Sequence, residues 1–105
     1  MNRVQSLERA GGMASRWRRR RMCVLVTDQP APAALRSVSA TGAVLEMASC
    51  PALGTTVELR HPEAGAIQGH VHAVARGAVS LSFDFNERSV AFALAAIAAD
   101  MSRSE

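Results

Sequence analysis

The sequence predicts an all-β fold: a six-stranded antiparallel β-barrel with a C-terminal α-helix and a flexible basic N-terminal segment. Three observations predict it. Six short runs alternate apolar with polar residues at regular spacing, Gly- and Pro-containing turns separate them, and only the stretch after Asn86 changes to a helical period. Each alternating run buries one face, and closing the sheet on itself hides both those faces and the strand edges, with the helix as a plug. With 105 residues the chain has enough for one modest core and too little for two. Residues 1–15 therefore read as a flexible leader and 16–101 as one domain: an Arg-rich segment 16–21, the barrel 22–85 and a helix 86–101. Residues 102–105 read as a tail.

Taken in order, 22–27 is the first strand, and Asp28-Gln29-Pro30-Ala31-Pro32 stops it as an exposed loop, because proline cannot donate to a ladder. Residues 34–39 resume extended structure, Gly42 marks a turn or bulge, and 43–47 alternates, which together suggest a hairpin. Cys50-Pro51-Ala52-Leu53-Gly54 is a second loop. After it Val57 and Leu59 alternate with Thr56, Glu58 and Arg60, and His61-Pro62-Glu63-Ala64-Gly65 ends that strand. Ile67, Gly69, Val71 and Ala73 form one face of a long strand whose other face shows Gln68, His70 and His72. Arg76-Gly77 turns into Val79, Leu81, Phe83 and Phe85, alternating with Ser80, Ser82 and Asp84, the cleanest hairpin in the chain. Asn86 can cap a helix whose large apolar residues, Val90, Leu94, Ile97 and Met101, lie on one stripe. That stripe predicts a helix docked on the sheet, with Phe83, Phe85, Leu94 and Ile97 in the core.

Charge is unevenly placed. All twelve basic residues are arginine, and seven of them stand in residues 1–21 against the single acid Glu8. Arginine in this density favours planar, bidentate and stacking recognition of an anion, although high-GC coding bias gives the same skew. Cys23 and Cys50 lack metal or redox spacing and read as reduced, small core residues of a cytoplasmic protein, no secretory signal or membrane-length apolar run being visible. His70 and His72 share a strand face without a third donor, so no metal is assigned. No nucleophile, base and orienting group come together in the sequence, and the scattered acids form no pair, so no catalysis and no cofactor are expected.

An Arg-rich segment before the first strand, then Ser37-Val38-Ser39-Ala40-Thr41-Gly42, then Leu53-Gly54 before Val57-Glu58-Leu59, then Val79-Ser80-Leu81-Ser82-Phe83-Asp84 before a helix, together resemble the PilZ domain. The similarity covers roughly residues 16–100. The resemblance implies a six-stranded barrel that binds cyclic diguanylate through an Arg-x-x-x-Arg element and an Asp/Asn-x-Ser-x-x-Gly element. Arg16 and Arg20 match the first; Arg21 abuts the strand, as the family's last arginine often does, but has Trp17 four positions earlier. In the second, Ser39 and Gly42 match, and Ser37 stands where the family has Asp or Asn. Ser80 occupies a position often filled by glycine.

The chemistry of such a ligand suits these residues. Two phosphates and two guanine O6/N7 edges accept guanidinium forks, Ser39 can bond a guanine edge or phosphate, and Gly42 permits close backbone approach. Trp17 can stack on a base or pack on the barrel. Ser37 offers a hydroxyl where a carboxylate would take two guanine N–H groups, at a cost on the order of 1–3 kcal/mol. The resemblance thus implies a single-domain receptor that captures cyclic diguanylate with Arg16, Arg20, Arg21, Ser37, Ser39 and Gly42 and relays the signal to a protein effector. The alternative is a ligand-independent interaction adaptor on the same barrel. Nucleic acid is not the expected partner, since the body lacks the exposed aromatic platform that single strands favour.

Overall fold

The computed structural model describes residues 21–102. The leader 1–15, Arg16, Trp17 and Arg20 of the basic segment, and residues 103–105 of the tail lie outside the described residues.

Among the described residues there are six strands and one helix: β1 (Arg21–Val26), β2 (Pro30–Ser39), β3 (Gly42–Glu46), β4 (Thr56–His61), β5 (Gly65–Ala75), β6 (Ala78–Ser82) and α1 (Glu87–Ser102). The strands close into an antiparallel barrel in the order β1-β2-β3-β6-β5-β4, with β4 pairing back to β1. This is the fold class the alternation predicts. Cys23, Leu25, Leu45, Val57, Leu59, Ile67, Val71, Val79, Leu81 and Phe83 point inward as the period-2 pattern requires and form the core with Phe92 of the helix. Both cysteines are free; Cys23 is in the core and Cys50 half-buried against it.

The Arg76-Gly77 turn forms as expected, with Gly77 at φ +73° and Ala75 paired to Ala78. Gly42 takes a different role from the turn or bulge predicted. It is the first residue of β3, paired to Ser39 and Ser82, and a Cβ there would overlap the carbonyl oxygen of Leu81. Close backbone approach requires this glycine.

Four expectations are corrected. Pro30 and Pro32 lie within β2, opposite Val26 and Val24, because β3 pairs with β2 only from Ala34 onward; their missing N–H groups fall where β2 is an edge. Ala73 is exposed, since the β5 register shifts between Val71 and Ala73 and reverses the alternation. Phe85 is 70 % exposed because β6 ends at Ser82 and the chain has left the sheet by then. In α1 the buried face is Ser89, Phe92, Ala93, Ala96 and Ala99, whereas Leu94 and Met101 are 64 % and 67 % exposed and Val90 and Ile97 also face water. The helix reaches the barrel through its small residues plus one aromatic ring. Phe92 stacks edge-on against Phe83 and His61, at centroid distances of 5.9 and 6.1 Å.

Asn86 caps α1 as predicted. Its Oδ1 accepts the N–H of Ser89 at 3.0 Å, while the buried Ser89 hydroxyl donates to the Asn86 carbonyl and accepts the Asn86 N–H, each at 3.0 Å. Among the described residues no helix is long and apolar enough to cross a membrane.

Candidate functional site

Two register shifts build the site. In β2 the pairing with β3 slips between Leu35 and Ser37, so Arg36 is an extra residue. Leu35 packs against the core, Val38 does so after the slip, and Ser37 and Ser39 are thereby turned outward. The shift in β5 likewise leaves His72 as the extra residue, exposed on the outer wall. Between these two irregularities the outer faces of β2, β3, β6 and β5 are joined by cross-strand pairs. One row runs Ser39, Gly42, Ser82, His70, Thr56, and the next runs Ser37, Val44, Ser80, Ala73.

An open groove of about 400 Å³ follows these rows. Ser37, Ser39 and Gly42, the three residues of the serine and glycine element, all line it. So do Thr41, Ser80, Ser82 and His72. The hydroxyls give the groove donors and acceptors without a fixed charge, the composition of a wall that orients a polar ligand and leaves its charge to be met from elsewhere. Ser39 is partly engaged already: its Oγ accepts the N–H of Thr41 at 3.2 Å and lies 3.1 Å from the Thr41 hydroxyl. It braces the β2–β3 turn and retains further bonding capacity. In the adjoining row Thr56 Oγ1 and His70 Nδ1 are 3.1 Å apart.

Arg21 is not part of this groove. It shares the inward parity of Cys23 and Leu25, so its side chain, only 12 % exposed, crosses the barrel mouth. There Nη1 donates to Glu63 Oε2 at 3.4 Å and Nη2 to the carbonyl of Ala99, in the last turns of α1, at 3.3 Å. The guanidinium ties the β4–β5 turn to the helix. Arg16 and Arg20 lie outside the described residues, but their point of attachment is fixed. Arg21 is paired with Leu35, so the chain joins β1 two residues short of Ser37, roughly 7 Å along the neighbouring strand.

His61 completes the inner side of the same mouth. It is buried, its Nδ1 accepts the N–H groups of Glu63 and Ala64 at 3.0 Å each, and its Nε2 has no hydrogen-bond partner. The two accepted bonds put the ring proton on Nε2. Burial, and then the Arg21 cation, push its pKa below the ordinary value, which keeps the ring neutral. Burial also pushes the Cys23 thiol up to about 11 and makes it unreactive. Among the described residues no three His, Cys, Asp or Glu side chains gather into a metal-sized group.

His72, Ser80, Ser82 and Thr41 were not singled out by the sequence as site residues. The outward alternation of the 65–82 hairpin marks Ser80 and Ser82, but only the β3–β6 register sets them beside Gly42. Comparison with family models, curated proteins and solved structures finds no match for this chain.

Proposed function

We propose that this chain is a PilZ-like receptor for cyclic diguanylate, acting in the cytoplasm and passing the signal to a partner protein. One observation carries the reading: Ser37, Ser39 and Gly42 line a single outer groove beside the point at which the arginine run enters the barrel. The hydroxyl wall of Ser37, Ser39, Ser80 and Ser82 would meet guanine and phosphate edges, and the arginines of the basic segment would supply the charge and guanidinium forks that the wall lacks. Because Arg21 is committed to Glu63 and Ala99, the reading assigns Arg16 and Arg20 to the ligand and leaves Arg21 as a structural tie between the β4–β5 turn and α1. Engagement of the arginines with the ligand would change the surface offered to a partner.

A second reading, a ligand-independent adaptor, draws on Ser37 in place of the family's Asp or Asn. Isothermal titration with cyclic diguanylate at moderate salt separates the two. Under the receptor reading, wild type releases or absorbs heat, Arg20→Ala abolishes the signal, and Ser37→Asp tightens binding about tenfold by restoring a charge-assisted pair to guanine. No heat at high micromolar ligand leaves the adaptor.

A further inference from the structure

Each of the two register shifts leaves one extra residue on the outer wall, and the two have different fates. Arg36, in β2, is drawn to Glu46 at 3.5 Å and does not line the groove. His72, in β5, lines it, and among the described residues no hydrogen bond or ion pair holds its ring. A bulge takes its extra residue out of the ladder and re-aims the side chain, which here faces the hydroxyl wall. Among the described residues His72 is also the one titratable side chain lining the groove.

The other charged and titratable groups on the surrounding strands stand off the groove. Arg36 and Glu46 pair across β2 and β3, Arg60 and Glu58 pair within β4 at 2.8 Å, His70 Nδ1 lies 3.1 Å from Thr56 Oγ1, and Arg76 and Asp84 lie beyond the strand ends. Position is the second argument. The chain joins the barrel at β1, beside the Ser37 end of the groove, whereas His72 is at the opposite end, three strands on from β2. At the usual strand spacing that separates the two ends by roughly 14 Å along the wall. A ligand with two phosphates thus meets the arginines at one end and a single imidazole at the other.

We propose, on the basis of the receptor reading, that His72 is a ligand contact of this groove, its imidazolium pairing with a phosphate of cyclic diguanylate so that affinity rises as pH falls. An imidazole gains its charge between about pH 8 and 5, and a charged donor binds a phosphate oxygen more strongly than a neutral one. Neither the phosphodiesters nor the guanines of the ligand titrate in that range, so a slope of affinity with pH belongs to the protein. Because His72 is exposed, its replacement leaves the barrel intact.

The test is isothermal titration with cyclic diguanylate at pH 8 and pH 6, circular dichroism confirming the fold at both, for wild type, His72→Gln, His72→Arg and His70→Gln. Wild type should bind about threefold to tenfold more tightly at pH 6. His72→Gln should bind at both pH values as wild type does at pH 8, and His72→Arg at both as wild type does at pH 6 or more tightly. His70→Gln should keep the wild-type slope. Equal wild-type affinity at the two pH values overturns the proposal and leaves the receptor reading standing, as does a slope that survives in His72→Gln. No heat from wild type at either pH overturns the receptor reading, and the role of His72 with it.

Discussion

The two faces of one barrel mouth, separated by the thickness of a single sheet, have opposite characters. Inside, the Arg21 guanidinium is bound to Glu63 and Ala99, His61 Nδ1 accepts the N–H groups of Glu63 and Ala64, and Phe92 fills the space between Phe83 and His61. Outside, Ser37, Ser80, Ser82 and His72 line an open groove. Strand parity alone decides which character a residue takes. An arginine on the inner parity becomes a tie between a turn and a helix, whereas a serine one register step away becomes a potential ligand contact. Inner substitutions should therefore register in stability, and outer ones in binding.

The largest expected effect lies inside. Phe92→Ala removes a ring that is 3 % exposed and in contact with both Phe83 and His61, and should destabilise the fold by about 3–5 kcal/mol in urea denaturation. A loss under about 1 kcal/mol would mean that the helix is not the plug of this barrel. Arg21→Met should follow at about 0.5–1.5 kcal/mol, since it keeps the apolar stem but loses two hydrogen bonds near the upper distance limit, one of them to a half-exposed carboxylate.

The core alternation and the helix cap at Asn86 were legible because each follows from a local pattern. Three kinds of feature were not. A register shift leaves no mark in composition, so the outward turn of Ser37 and Ser39 and of Ala73 had no local signal. The helix was assigned the wrong face because a stripe of large residues dominates the pattern. The close approach to the barrel in fact selects alanines, with Phe92 alone reaching inward. Pro30 and Pro32 read as a loop because a strand's edge stretch is defined by its neighbour's length. For the site, Ser37-x-Ser39-x-x-Gly42 was visible as a linear element, while His72, Ser80 and Ser82 join it only across strands.

A pH dependence sharpens the inner face further. The native pKa of His61 is depressed below its ordinary 6.5, so the unfolded chain binds a proton that the native chain resists. His61 thus contributes stability that is complete above about pH 6.5 and is lost as pH falls from there through the native value. Urea midpoints measured from pH 7.5 down to 5 should decline, and the decline should flatten in His61→Asn, whose side-chain oxygen can still accept the turn N–H groups but does not titrate. Arg21→Met should also lessen the slope, because the guanidinium is the second cause of the depression. An identical slope in wild type and His61→Asn would place the acid sensitivity elsewhere.

The smallest effect on stability belongs to the outer wall, and that smallness carries the comparison. Ser80 and Ser82 lie in β6 between buried Val79, Leu81 and Phe83, yet their side chains face the groove and are only partly covered. Ser80→Ala and Ser82→Ala should each shift stability by less than about 0.5 kcal/mol, because no buried partner is left unsatisfied and alanine fits the same strand. If the groove takes cyclic diguanylate, the same variants should weaken its binding by about threefold to tenfold, one lost hydrogen bond each. Arg21→Met should do the reverse, losing stability while keeping affinity. A serine variant that destabilises the barrel without touching affinity would show that the groove is structural wall, and that the two faces of the mouth differ in exposure but not in purpose.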